Sequence, residues 1–357
     1  MAASRPIPRI AALATALPSG PIEGHYRLWA EAQITDPHQR DLFRRMADRA
    51  GITQRHSVLD GAEGRPDAGQ FYDRPPFPST AARMALFAQT APGLALQAIH
   101  GLPELGAITH LVLACCTGFM APGLDQVIAR RLGLAADVER ISLGFMGCYA
   151  GVTALRSAGH IVRSLPQARV LVVTVELCTL HLQQTGDLEA LLAMRQFADG
   201  AAAALVTAEG PGLALGDGLS RVLDDSGELI TWTIGDTGFA MHLSGAVPAR
   251  LAAALEQRDI VASISNGAPP SAVAAWAVHP GGRSILDAVE RGLGLQGGIL
   301  DASRGVLADC GNMSSATVMF VLQRLWDARP PSGMALAFGP GLALEGLRFG
   351  WIDGDAG

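Results

Sequence analysis

The sequence predicts an α/β fold whose sheets are covered by helices on both faces. Three observations carry that expectation. Short apolar runs alternate with segments of 3.6-residue periodicity along the 357 residues. The runs are apolar throughout rather than at alternate positions, as in sheets buried on both sides. Hydrophobic residues make up 49% and charged residues 17%, which can fill a large core and excludes a disordered chain.

The elements follow in order. Ile10 to Leu17, bounded by Pro8 and by Pro18-Ser19-Gly20, is short and reads as a first strand rather than a signal peptide. Residues 26–50 carry a charged helical pattern that ends in Asp41-Leu42-Phe43-Arg44-Arg45-Met46-Ala47-Asp48-Arg49, and residues 60–80, dense in Gly, Pro and Asp, read as a loop. Thr80 to Ile99 is an Ala-rich helix, Thr109 to Ala114 a buried strand and Gly123 to Leu132 a helix. Arg140 to Leu143 is a short strand, Ala150 to Ser164 a helix, and Ala168 to Val175 and Ala201 to Thr207 are strands. The second half alternates in the same way, with strand Ala274 to Val278, helices Ser284 to Leu293 and Ser315 to Trp326, and strands Met334 to Ala337 and Leu342 to Phe349. No run of about 20 uninterrupted apolar residues occurs, so no membrane span is expected.

A weak internal repeat is visible. Each half has a buried strand ending in a polar or reactive residue, Cys116 in the first and His279 in the second. Each then has a helix, followed by Gly and a polar residue opening a small-residue helix: Gly147-Cys148-Tyr149-Ala150-Gly151 and Gly311-Asn312-Met313-Ser314-Ser315. Cys148 lies 32 residues after Cys116, and Asn312 lies 33 after His279. Two copies of one unit, meeting at their loop ends, would bring Cys148, His279 and Asn312 together.

Composition excludes several chemistries. The net charge of −6 argues against nucleic acid as the main partner. All 27 basic residues are Arg, so Schiff-base, pyridoxal and P-loop Lys chemistry is absent. Codon bias is the plainer cause of the missing Lys. Five Cys, an odd number without CxxC spacing, indicate buried thiols in a reducing cytoplasm. The His residues make no ligand spacing, and no metal is expected.

Cys148 stands before a helical pattern, where the dipole would lower its pKa and favour thiolate, and Gly147 and Gly151 would leave room for substrate. As an alternative it is a buried structural thiol. His279, at a strand end before Pro280-Gly281-Gly282, sits where open-sheet sites form, or is a hydrogen-bonded core histidine. Asn312 is an N-cap, an oxyanion donor, or both. The trio suits a thiol hydrolase, with Asn orienting His. It equally suits a Claisen-type condensing site, with Cys carrying an acyl thioester and His and Asn donating to a carbonyl oxygen.

GCYAG around Cys148, WAVHPGG around His279, GNMSSA around Asn312 and AFGPGLALE from Ala337 to Glu345 resemble the type III polyketide synthases, the chalcone-synthase-like enzymes. The resemblance runs from about residue 10 to about residue 350, in the family's order. It implies the five-layer αβαβα thiolase fold in two pseudo-symmetric halves, 1–212 and 213–357, and a homodimer with no cofactor beyond CoA-thioester substrates. Residues 115–125, 144–150, 176–183 and 231–245 are most similar to bacterial alkylresorcinol and alkylpyrone synthases, which extend long-chain acyl starters with malonyl-CoA.

By that resemblance Cys148 is the nucleophile, His279 holds it as thiolate, and His279 and Asn312 stabilise the enolate left by decarboxylation. Phe197 and Met241 fall at the two gatekeeper positions, with Met241 departing from the plant phenylalanine and leaving a softer gate. Cys116, Cys178, His181, Trp232 and Ser314 would line the cavity, with Trp232 narrowing one lobe so that a long acyl chain needs another channel. Arg45 and Arg49 match positions that touch CoA phosphates, while Leu42 stands at a third and Arg44 is the substitute beside it; an exposed helix face is the plainer reading of these arginines. The FGPG loop, Phe338 to Gly341, speaks against the thiol hydrolase or plain acyltransferase, and the intact trio against a non-catalytic acyl-binding paralogue. A malonyl-CoA or aromatic acyl-CoA starter remains the alternative within the family.

Overall fold

The structure, a computed structural model, describes residues 6–67, 69, 71–72 and 77–354. Residues 68, 70 and 73–76 of the 60–80 loop therefore lie outside the described residues. The strands order in space as Ala275–Val278, Gly333–Gly339, Ala343–Ile352, Gly212–Val222, Arg9–Ala16, Asp199–Thr207, Val170–Leu177, His110–Cys115 and Glu139–Gly144. The halves join where Arg9 and Ile10 pair with Ala214 and Leu213.

Strand pairing repeats across that joint. In the first half His110–Cys115 runs parallel to Val170–Leu177, which pairs antiparallel with Asp199–Thr207, which pairs antiparallel with Arg9–Ala16. In the second half Ala275–Val278, Gly333–Gly339, Ala343–Ile352 and Gly212–Val222 repeat the same sequence of parallel, antiparallel and antiparallel pairings. The strands that lead to Cys116 and His279 are thus equivalent, as are the helices that follow Cys148 and Asn312.

Side-chain alternation along the strands produces the layers. Leu171, Val173 and Val175 face a core shared with Thr80–His100 and Leu124–Leu132, while Val170 and Val172 face the opposite way. In the second half Trp276 and Val278 face the helices Val247–Leu255 and Arg283–Leu293, whereas Ala275 and Ala277 face inward. Both inward faces close on the helices Ala150–Ser164 and Thr317–Leu325, giving helix, sheet, helix, sheet, helix. The inward positions include Ala114, Ala202, Ala204, Ala277, Ala335 and Ala337, because small side chains let the central helices approach both sheets. Among the described residues, no helix is long and apolar enough to cross a membrane.

Four features differ from the sequence reading. The charged segment 26–50 is two helices, Glu23–Gln33 and Pro37–Arg49, because Pro37 opens a new helix and the Asp36 side chain accepts from His38 N–H. Gly212–Val222 is a full strand in which Gly212, Gly216 and Gly218 mask the apolar pattern. Ile230–Gly235 and Gly238–Leu243 form a hairpin separate from the main sheet. The helices Leu188–Met194, Val247–Leu255, Arg258–Ser265 and Asp301–Cys310 were not anticipated.

Candidate active site

The carboxyl ends of the parallel strands converge on one cavity, the place where open α/β sheets bind ligands. Cys116 and His279 directly follow their strands, Cys148 precedes the helix Ala150–Ser164, and Asn312 follows Asp301–Cys310. All four line a narrow cavity of about 50 Å³, together with Cys178, Phe197, Trp232, Met241, Ser314 and the Phe338-Gly339-Pro340 turn. Gly147 and Gly281 line it too, as do Thr117, Ile230, Leu243 and Ile285, which carried no sequence signal.

Close backbone packing shapes the site. Gly147 has φ +84°, and a Cβ there would lie 2.3 Å from Pro340 Cδ, so the loops of the two halves meet because position 147 has no side chain. A Cβ on Gly151 would lie 2.2 Å from Ser315 O. These glycines accommodate the protein's own second half, whereas the sequence reading gave that space to substrate.

His279 is buried, and both its ring nitrogens lack a hydrogen-bond partner. Asn312 Oδ1 accepts from Ser314 N–H at 2.9 Å, so its oxygen caps the following turn. Its Nδ2 makes a long 3.4 Å bond to Gly281 O, and the side chain also meets the Cys148 thiol, so the amide N–H₂ is turned to the cavity. Unpaired imidazole nitrogens and an amide N–H₂ beside a thiol form a donor set for an oxyanion.

The ionisation states differ from the sequence expectation. Burial pushes the Cys148 thiol up to about 12, and hydrogen bonds with the Ser314 and Asn312 side chains only partly oppose it. Burial pushes His279 down to about 3. The resting pair is therefore a thiol and a neutral imidazole: desolvation of the charged forms outweighs the helix-start effect on Cys148.

Sequence reasoning missed Glu176, although a carboxylate inside the apolar strand Val170–Leu177 was a visible signal. Fully buried, it accepts from Cys116 N–H at 3.1 and 3.0 Å, Thr117 Oγ1 at 2.7 Å, and Ser315 Oγ. It thereby ties the Cys116 loop to the Asn312–Ser315 loop, while burial raises its pKa to about 7.

The hairpin roofs the cavity. Trp232 and Met241 are cross-strand partners, and Trp232 Nε1 donates to Cys116 O at 3.1 Å. His181 stands behind them, stacked on Phe239 at 4.1 Å, its Nδ1 accepting from Phe239 N–H. That leaves Nε2–H to donate to Thr117 O at 2.7 Å, and burial lowers the ring's pKa to about 4. His181 does not line the inner cavity but lines an adjacent chamber of about 190 Å³, whose walls include Cys178, Phe197, Trp232 and Met241 from the inner cavity. On another side, Leu243 and Ile285 lead to an outer groove of about 820 Å³ bordered by Gln39, Met46 and Gln196. Arg45 and Arg49 are exposed on the helix that carries Gln39 and Met46, but outside the groove lining. Arg44 is held by Glu31 at 2.9 Å and Asp41 at 3.2 Å.

The comparisons with known proteins agree across the chain. Residues 4–210 match the family described as chalcone and stilbene synthases, N-terminal domain, and residues 214–350 match its C-terminal domain. The chain is 34% identical over 331 residues to the alpha-pyrone synthesis polyketide synthase-like Pks18 of Mycobacterium tuberculosis, covering 88% of this chain and 83% of that protein. It is 33% identical over 335 residues to the bisdemethoxycurcumin synthase of Oryza sativa subsp. japonica, covering 86% and 82%. The C-terminal type III polyketide synthase domain of the Dictyostelium hybrid Steely1 superposes with TM-score 0.87 at 26% identity, covering 96% of this chain and 99% of that one. PKS-I of the brown alga Ectocarpus siliculosus superposes with TM-score 0.85 at 28% identity, covering 97% and 98%.

Proposed function

The chain belongs to the chalcone and stilbene synthase family and is a type III polyketide synthase of thiolase fold; on that premise we propose that Cys148, His279 and Asn312 are its catalytic residues. Cys148 Sγ attacks the starter thioester carbonyl, CoA leaves as the thiol, and His279 takes and returns the proton. Malonyl-CoA then loses CO₂, its electron pair moving onto the thioester oxygen as an enolate. His279 and Asn312 Nδ2 donate to that oxygen. The enolate carbon attacks the carbonyl carbon of the Cys148 thioester, the bond to Sγ breaks, and the chain, longer by two carbons, passes to the CoA of the former malonyl unit while Cys148 leaves as the thiolate.

The observation that carries this reading is the convergence of a thiol, an imidazole with unpaired nitrogens and a capped Asn whose N–H₂ is available, drawn from both halves onto one apolar cavity. Type III polyketide synthases act on CoA thioesters. Here the groove beyond Leu243 and Ile285 would take the pantetheine arm, with Arg45 and Arg49 near its mouth for phosphates. Phe197 and Met241 would gate the passage.

For the starter we favour a long acyl chain and alkylpyrone or alkylresorcinol products. The chamber behind Trp232 gives an alkyl tail a place that the inner cavity lacks, and a relative carries alpha-pyrone synthesis in its name. The second reading, malonyl-CoA or a compact aromatic starter, is favoured by the narrowness of the inner cavity. The working form is a cytoplasmic homodimer paired along Glu139–Gly144, an edge strand with exposed side chains, and the boundary between halves falls at 212/213.

Asn312→Ala tests the central assignment. Acyl loading on Cys148, read by intact-protein mass, should persist, while malonyl-CoA decarboxylation falls by about two to three orders of magnitude. Normal condensation by this variant would reduce Asn312 to a cap.

A further inference from the structure

Behind the gate lies a buried ionic cluster to which the reaction above gives no part. Arg55 is fully buried, and its guanidinium lies 4.6 Å from the Tyr26 ring centroid. Its Nε donates to Glu23 Oε2 at 2.6 Å, and its Nη1 to the carbonyl oxygen of Phe197 at 2.6 Å. The other Glu23 oxygen lies 2.6 Å from Nη2 of Arg195, which is 3% exposed. Two guanidiniums thus share one carboxylate, and Arg55 Nη2 and Arg195 Nε and Nη1 have no hydrogen-bond partner.

Such a cluster is a poor device for stability alone. Desolvating two cations against one anion is costly, and apolar packing of similar volume usually serves better. What the guanidinium supplies, and an apolar side chain cannot, is a directed donor to one carbonyl. That carbonyl belongs to the segment that also holds Asn312. Asn312 N–H donates to Gln196 O at 2.8 Å, and Ala198 N–H donates to Asn312 O at 2.9 Å, so Phe197 and Asn312 pair like neighbouring parallel strands. Arg55 reaches the Asn312 loop from its other side as well. Gly311 has φ +73°, and a Cβ there would lie 2.9 Å from Arg55 Cγ. The stretch just before Arg55 is fixed in turn, because Thr53 N–H and Gln54 N–H both donate to Ala308 O in the helix Asp301–Cys310.

We propose that Arg55, braced by Glu23 and Arg195, is a positioning residue for the condensation: it fixes the Gln196–Ala198 segment and, through it, the Asn312 amide that meets the enolate oxygen. It acts through backbone hydrogen bonds and touches no substrate. The inference rests on the role assigned to Asn312 above. It predicts a selective defect, because loading the starter onto Cys148 does not need the Asn312 amide in register, whereas decarboxylation does.

The test compares Arg55→Met, Arg55→Lys, Glu23→Gln and Asn312→Ala with the unsubstituted protein. The readouts are melting temperature, acyl loading by intact-protein mass in a single turnover, and kcat and KM for malonyl-CoA decarboxylation. In folded Arg55→Met, decarboxylation kcat should fall by about ten- to a hundredfold, with loading within about threefold and KM little changed. Arg55→Lys should not restore it, since an ammonium lacks the fork that reaches Glu23 and Phe197 O together. Glu23→Gln should show the same selective loss in milder form. A purely structural cluster would lower loading and decarboxylation alike, and that outcome overturns the proposal. Should Arg55→Met not fold, an unchanged ratio of decarboxylation to loading in both Arg55→Lys and Glu23→Gln overturns it. If Asn312→Ala loses decarboxylation but the cluster variants do not, only this inference fails. If Asn312→Ala decarboxylates normally, the assignment of Asn312 fails and takes this inference with it.

Discussion

At Cys148 two effects oppose each other: the start of the helix Ala150–Ser164 favours the thiolate, and burial disfavours it. Its place before a helix was legible in the sequence, and the dipole argument from that place points to a thiolate. The depth of the site was not legible, and desolvation decides the sign. His279, unpaired and pushed down to about 3, cannot hold an imidazolium in the resting cavity. The raised thiol pKa leaves little thiolate at neutral pH, and that fraction grows as pH rises towards about 12. We therefore expect Cys148 alkylation by iodoacetamide to speed up about tenfold per pH unit from about pH 6 to about pH 9. A rate already at its plateau near neutrality, as an imidazolium–thiolate pair would give, contradicts this. Activation then belongs to the substrate-bound site, where a thioester carbonyl engages the donors. Asn312 divides its work by atom, with Oδ1 in the cap and Nδ2 towards the cavity, a division that its residue type permitted but did not specify.

At the scale of elements, the long apolar strands and Ala-rich helices announced themselves, because a buried sheet needs uninterrupted apolar runs. The hairpin Ile230–Leu243 did not. It packs on the site rather than in the sheet, and its outer residues are exposed, so its pattern is not that of a core strand. Yet it carries Trp232 and Met241 as direct partners, and with them the wall between cavity and chamber. The wall makes starter length a property of one element. Ala240 lines the chamber's exposed side, so Ala240→Phe should fill the chamber and leave the inner cavity open. Each buried methylene contributes about 0.8 kcal/mol, so losing four from the chamber should cut kcat/KM for long acyl-CoA starters by about two orders of magnitude. Short starters should be little affected, and Trp232→Ala should shift preference towards longer chains. Equal loss for short and long starters, or none, would give the chamber no part in starter binding.

For the whole molecule, the repeat seen in residue spacing has a counterpart in topology: each half runs through the same sequence of strand pairings, and the equivalent strand ends and helix starts supply the site. The 32- and 33-residue spacings hold although the intervening elements differ: the first half has the helix Leu124–Leu132 and the edge strand Glu139–Gly144, the second the helices Arg283–Leu293 and Asp301–Cys310. What the spacing could not reveal was the cross-bracing between halves, such as Glu176 to Ser315 and Gly147 against Pro340, since such contacts leave no periodic trace. The two sheet edges differ. Ala275–Val278 is wholly buried, whereas Glu139–Gly144 shows its side chains to solvent, with Ile141 39% and nearby Phe119 46% exposed. An open apolar edge is a hazard unless a second copy covers it. Sedimentation velocity should show a dimer that Ile141→Asp converts towards monomer, with the melting curve of each protomer retained. A monomeric unsubstituted protein, or a dimer indifferent to that change, would move the interface elsewhere.

This site joins malonyl-derived carbons to an acyl chain held on Cys148. Product mass spectrometry tests it most directly, using purified protein, ¹³C-labelled malonyl-CoA and acyl-CoA starters of graded length. The expected products are of pyrone or resorcinol composition, built from the starter acyl group and successive labelled two-carbon units, and are abolished in Cys148→Ala. Free acids from every starter, with no label incorporated, would identify a thiol hydrolase and rule out condensation at Cys148.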